Sequence, residues 1–69
     1  MGLHNKVREC RFFADEMTQQ ELAKRVGVTR QTIMAIEKGK YSPSLEVAFK
    51  IAMIFNKSID EVFWYSPES

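Results

Sequence analysis

Met17-Thr18-Gln19-Gln20-Glu21-Leu22-Ala23-Lys24-Arg25-Val26-Gly27-Val28-Thr29-Arg30-Gln31-Thr32-Ile33 is the stretch from which the fold can be read. Thr18 followed three residues later by Glu21 is a capping box, in which the hydroxyl and the carboxylate satisfy reciprocal backbone N–H groups. Met17 before the cap and Leu22 after it complete a hydrophobic staple. Leu22, Ala23 and Val26 then form one apolar side, and Gly27 is the residue best able to end the helix in a left-handed conformation. This predicts a helix over roughly residues 19–26. Only Gly27 and Val28 separate it from the next N-cap, Thr29, so the two helices must meet steeply rather than run antiparallel, which is helix-turn-helix spacing.

Working outward, Val28 and Ile33 make a second staple, Ile33 and Ile36 point to the core, and Gly39 stops the third helix. On a helical wheel Gln31, Met34, Ala35 and Lys38 lie away from Ile33 and Ile36, with Arg30 on the flank. A fourth helix carries Leu45, Ala48, Phe49, Ala52 and Phe55. Ser44 is taken as its cap, with Ser42 before Pro43 as the competing register. A second capping box, Ser58-Ile59-Asp60-Glu61, starts a short last helix with Val62 and Phe63 inward. Toward the N-terminus, Val7 and Cys10 mark the buried side of a first helix over roughly 5–13, with Phe12 or Phe13 near its end. His4 falls in a frayed terminus. The expectation is an all-α, five-helix domain spanning residues 1–69, ordered over about 5–64.

The chain has 69 residues, 18 of them Leu, Ile, Val or Phe. That is enough for one small folded domain and too little for a two-domain enzyme. A core of this size seldom gives more than about 3–5 kcal/mol net, so caps, turns and a second subunit have to contribute. Cys10 is the single cysteine and no Cys or His pair has metal-ligand spacing, so neither an internal disulfide, a metal nor a cofactor is expected. A lone thiol at core spacing reads as a small buried hydrophobe before it reads as a redox sensor. No apolar run approaches a membrane span or a signal peptide, which places the expected protein in the cytosol. No nucleophile, base and orienting group converge in the sequence, and catalysis is not expected.

Between Lys24 and Lys40 stand five Lys or Arg against one Glu, a local balance of +4 within a chain of net charge +1. A solvated helix face is the plainer account of such charges taken alone. The short turn, the two staples and the basic run together favour DNA. A major groove admits one α-helix, and Arg30 and Gln31 in its first turn have the chemistry to read guanine and adenine edges, with Met34 and Ala35 able to meet thymine methyls. Thr18, Gln19, Lys38 and Lys40 are placed to hold phosphates on either side.

The stretch quoted above, together with Ile36-Glu37-Lys38-Gly39-Lys40-Tyr41, resembles the phage Cro/repressor, or xenobiotic-response-element, family of helix-turn-helix regulators. The likeness continues through Pro43-Ser44-Leu45, Lys50-Ile51-Ala52, Phe55 and Ser58-Ile59-Asp60-Glu61-Val62-Phe63, covering roughly residues 5–64. It implies a compact lambda-repressor-like fold and a transcriptional regulator, most simply a repressor, bound as a homodimer to double-stranded DNA with two-fold symmetry in a prokaryotic cytosol or nucleoid. Base contacts would fall on Thr29, Arg30, Gln31 and Ala35 with Met34 alongside, and phosphate contacts on Thr18, Gln19, Lys38, Lys40 and Tyr41. Ala35 departs from relatives with a longer polar side chain there and has no group to hydrogen-bond a base. The loop Phe13-Ala14-Asp15-Glu16 is one residue longer than the family's and lacks its glycine. If Arg11 takes the family's arginine position, it pairs with Glu37 and fixes the tilt of the third helix; otherwise the two are ordinary surface charges.

Phe63, Trp64 and Tyr65 on the last helix, with Ile54 and Ile59, are the expected dimer seam. The alternative is that these aromatics close the monomer's own core. A protein-interaction module using Trp64 and Tyr65 against a different protein partner is the second functional reading.

Overall fold

A computed structural model describes residues 2–67; Met1, Glu68 and Ser69, which the expected 1–69 domain includes, lie outside the described residues. The elements run β1 (Leu3–Asn5), α1 (Val7–Phe13), α2 (Gln19–Val26), α3 (Arg30–Glu37), α4 (Leu45–Ile54), α5 (Ile59–Val62) and β2 (Phe63–Tyr65). Five helices are present among the described residues. The all-α expectation is corrected by a two-stranded antiparallel sheet that joins the two ends of the chain, with Leu3 opposite Tyr65, His4 opposite Trp64 and Asn5 opposite Phe63.

The helix starts follow from local chemistry. Thr18 Oγ1 accepts the Glu21 N–H at 3.0 Å, Thr29 Oγ1 the Thr32 N–H at 3.2 Å and Ser44 Oγ the Val47 N–H at 3.2 Å, so Ser44, and not Ser42, caps α4. The Glu21 carboxylate is engaged by Arg25 one turn on, at 2.8 Å, where the sequence reading had it reach back to the cap. At α5, Glu61 does reach back, accepting the Ser58 N–H at 2.8 Å. That bond, and then the Ser58 hydroxyl, hold the Glu61 carboxyl below its ordinary range. Gly27 ends α2 at φ 89°, a conformation that costs glycine little and other residues about 1 kcal/mol or more.

Val7, Leu22, Ala23, Ile33, Ile36, Ile51, Ala52 and Val62 are almost wholly withdrawn from solvent and form one core between the helices, with Met17 and Phe63 at its margin. Cys10 belongs to it, and burial pushes its thiol pKa up, which disfavours the reactive thiolate. Neither phenylalanine at the end of α1 joins this core: Phe12 and Phe13 stack edge to face on the surface, and Ala14 packs inward in their place.

The sheet also revises the reading of both termini. The last helix stops at Val62, and Phe63 enters the extended conformation at φ −125°, ψ 140°. Three consecutive aromatics favour a pleated, half-buried surface over a helix when a partner strand exists. That partner begins at Leu3, and His4, far from frayed, stacks on the Trp64 ring at 5.7 Å with the Lys6 ammonium 5.8 Å from the same ring. Gly2 is required beside them, because a Cβ there would lie 2.7 Å from the Ser66 carbonyl oxygen as well as against the Tyr65 ring.

Between α1 and α2, Asp15 and Glu16 both take positive φ, 61° and 55°. This is how the longer, glycine-free loop turns, and each residue carries backbone strain of about 1–2 kcal/mol. Asp15→Gly is expected to raise stability by up to about 1 kcal/mol, the relief being partly offset by the greater freedom of an unfolded glycine. An unchanged or lower urea midpoint would show that the turn carries no such strain.

Candidate nucleic-acid interface

α3 is held at its C-terminal end by side chains from outside the helix-turn-helix. At its C-terminus, Asn5 Nδ2 donates to the Ile36 carbonyl at 2.9 Å, while Asn5 Oδ1 accepts the Val7 N–H at 3.0 Å, so one side chain ties the sheet, α1 and α3 together. Nearby, the Arg11 guanidinium grips Glu37 through two parallel bonds, Nε to Oε2 at 2.6 Å and Nη2 to Oε1 at 3.0 Å. Arg11 Nη1 also donates to the Met17 carbonyl at 2.8 Å, and Gln19 Nε2 donates to Glu37 Oε1 at 3.0 Å. The Arg11 and Glu37 side chains are 15% and 6% exposed, which removes this cluster from the class of screened surface pairs. It locks the start of α2 against the end of α3.

What the clamp leaves outward is a polar, cationic face. Ile33 and Ile36 are buried, Met34 and Ala35 are half-buried, and Arg30, Gln31 and Lys38 are exposed. Thr29, Thr18, Lys40 and Tyr41 are exposed around them. The Thr29 hydroxyl is shared with Thr32 Oγ1 at 3.0 Å while it caps the helix. Gln19, half-buried and bound to Glu37, faces the clamp with its amide nitrogen. Among the described residues, Arg30, Lys38 and Lys40 form no ion pair, so their charge is free to meet an external anion.

Arg8 was not among the residues picked out from the sequence. It lines, with Arg11, Thr18, Gln20 and Arg30, an open concavity that runs from α1 across the start of α2 to the start of α3. Its position three residues before Arg11 on one helix was the available signal, since such neighbours share a face. Arg8 and Arg30, neither in an ion pair among the described residues, and the exposed Thr18 outweigh the one carboxylate there, Glu16, and favour a polyanion on this concave surface.

The residues expected to form a dimer seam are not gathered on one free surface. Phe63 is buried in the chain's own core and Ile54 and Ile59 pack against that core, whereas Trp64 is 42% and Tyr65 69% exposed on β2. For Phe63 the alternative reading, closure of the monomer, describes its place. Among the described residues, no group of three or more His, Cys, Asp or Glu side chains is arranged to hold a metal ion, and no helix is long and apolar enough to cross a membrane.

Comparison with known proteins agrees with this geometry. The chain is 60% identical over 52 residues to an uncharacterised HTH-type transcriptional regulator of Archaeoglobus fulgidus, covering 75% of this chain and 73% of that one. It is 50% identical over 66 residues to another of Methanocaldococcus jannaschii, covering 96% and 98%. The transcriptional repressor RstR of the cryptic phage CTXphi of Vibrio cholerae is 38% identical over 58 residues, and the match spans 84% of this chain and 51% of RstR. Among solved structures, the clp gene regulator ClgR of Corynebacterium glutamicum superposes with a TM-score of 0.71 at 22% identity, over 80% of this chain and 57% of that one, which shows a shared fold. Residues 8–62, from α1 through α5, match the family described as helix-turn-helix, and the chain belongs to that family in its Cro/repressor form.

Proposed function

We propose that the protein is a sequence-specific DNA-binding transcriptional regulator that acts as a homodimer, lays α3 in the major groove of a two-fold symmetric operator, and represses by occluding promoter DNA. The observation that carries this reading is the clamped α3, whose outward face presents Arg30 and Gln31 in its first turn while Lys38 and Lys40 stand free at its end. Rigid placement matters because base readout requires side chains to reach edges in register, and a helix free to tilt would forfeit that register. In this reading Thr29, Arg30, Gln31, Met34 and Ala35 meet bases. Thr18, Gln19, Lys38, Lys40 and Tyr41 meet phosphate, joined by Arg8. Gln19 can do so only through what its bond to Glu37 leaves free.

Relatives at 60% and 50% identity carry the description of transcriptional regulators, and RstR that of a repressor, which supports both the activity and its sign. The chain acts in this account as a single DNA-binding domain without catalytic chemistry, in the compartment that holds the DNA. A second role has its own observation: an open concavity lined by Phe13, Ile54, Phe55 and Trp64 on the side of α1 and α5 offers apolar surface to a different protein.

Selection from a randomised duplex pool at about 150 mM salt tests the main reading, since specificity has meaning only at a stated ionic strength. The expected product is a two-fold symmetric motif with half-sites about one helical turn apart. Failure of the folded protein to enrich any sequence overturns it.

A further inference from the structure

α4 has two apolar sides where a monomer needs one. Ala48, Ile51 and Ala52 fill the core, yet Leu45, Phe49 and Met53 recur every fourth residue on an adjoining, outward side and are 69%, 47% and 74% exposed. Glu46 and Lys50 flank this stripe, 3.0 Å apart, and both are open to solvent. A contiguous exposed apolar stripe with a polar margin is the signature of a protein contact rather than of a solvated helix face.

We infer that the occupant of this face is a second copy of the chain, with α4 packed antiparallel on α4 about a two-fold axis beside Phe49. The proposal rests on the dimeric reading above and moves its seam away from the β2 aromatics.

Two features select this occupant. The first is apolar symmetry: reversing the direction of α4 sets Leu45 against the partner's Met53 and Phe49 against the partner's Phe49, so the stripe is complementary to itself, as an isologous contact requires. The second is charge. In that orientation Glu46 approaches the partner's Lys50 on the same flank, and Lys50 the partner's Glu46, so the flanking charges are complementary to themselves as the apolar stripe is.

The alternative seam is already spent in part, because Phe63, Ile54 and Ile59 serve the chain's own core and one face of Trp64 is covered by His4. A stable dimer buries about 800 Å² on each partner, so the α4 stripe supplies the centre of the contact and its polar margin, Glu46 and Lys50, part of the rim.

Sedimentation equilibrium of the full chain at about 100 μM tests the inference, because association follows protomer concentration. The wild type is expected to be dimeric and Phe49→Glu monomeric, with Met53→Glu, at a more exposed position, reproducing the loss while circular dichroism shows the fold retained. Glu46→Lys and Lys50→Glu singly should each weaken the dimer about tenfold or less, and the double exchange should restore it, because the flank again pairs unlike charges. Trp64→Ala should leave the dimer intact. A wild type that is monomeric with and without operator, or a dimer that survives both glutamates and is lost in Trp64→Ala, overturns the proposal. Enrichment of a DNA motif alongside such a result would leave the regulatory reading standing, and dissociation by Phe49→Glu without any DNA enrichment would do the reverse.

Discussion

Glu37→Ala is expected to lower stability by about 3–5 kcal/mol, the cost of removing one member of a buried pair and leaving the other charge uncompensated. Glu37 accepts both bonds from Arg11 and one from Gln19, so all three donors lose their acceptor in a single substitution. Since a domain of this length seldom commands more than about 3–5 kcal/mol in total, the variant should be largely unfolded near 25 °C. Thermal melts followed by circular dichroism would record this directly, with each kcal/mol shifting the midpoint by about 4–8 °C. Replacing both partners with apolar residues of similar volume, as in Arg11→Met with Glu37→Leu, should recover most of the loss, because a buried ion pair offsets its own desolvation and adds little beyond it. A drop of only a few degrees for the single variant would mean that water reaches and screens the guanidinium. In the doubly apolar chain the fold returns without the bonds that join Gln19 to the end of α3, so DNA affinity should stay reduced while stability recovers.

That same cluster shows what the sequence could reveal. Arg11 and Glu37 are 26 residues apart, and their proximity was suggested by family resemblance while every local rule was silent about it. By contrast, both bounds of α2 and the start of α3 were legible, because Thr18, Thr29 and Gly27 act through bonds to neighbours three or four positions away. The sheet was not legible. Leu3-His4-Asn5 and Phe63-Trp64-Tyr65 are each three residues long, too short to display a two-residue period, and each is a strand only because the other is present. Read alone, the aromatics continued the helix that Ser58 begins, and His4 looked like loose chain.

The exposed side of the molecule was harder to read than its core. Phe12, Phe13, Leu45, Phe49 and Met53 are all hydrophobic at helical spacing, and periodicity cannot say which of two apolar sides a helix buries. In α4 both sides qualify, and the structure shows that Ala48, Ile51 and Ala52 face the core while Leu45, Phe49 and Met53 face outward. For the site, residue types at the start of α3 were sufficient to nominate Arg30 and Gln31. Arg8 needed the structure, since α1 had no expected part in the surface until its concavity with Thr18 and Arg30 was seen. Gln19 needed it for the opposite reason: its amide is turned inward to Glu37.

Arg30→Ala and Lys40→Ala should both weaken operator binding, and they should do so in different ways. Arg30 stands in the first turn of α3 with no ion-pair partner among the described residues, so its guanidinium is free for a bidentate bond to a guanine edge. Its loss should cost about 1–3 kcal/mol, roughly ten- to a hundredfold in affinity, and relax the preference at one base position in each half-site. Lys40, just beyond the end of α3 with its backbone N–H bonded to the Ala35 carbonyl at 2.9 Å, is placed for phosphate. Its loss should weaken every duplex alike and reduce the slope of log affinity against log salt by about 0.9 for each site it occupies, because one fewer counterion is released. A dimer doubles both effects, since each substitution is present twice on the two-fold operator. Titrations of operator, single-base variants and unrelated duplex at three salt concentrations separate the two contributions. Equal losses on all sequences for both variants would mean that Arg30 also lies on phosphate, in which case the reading would shift to Gln31 and to the shape of the groove. Unchanged affinity in both would remove α3 from the interface altogether.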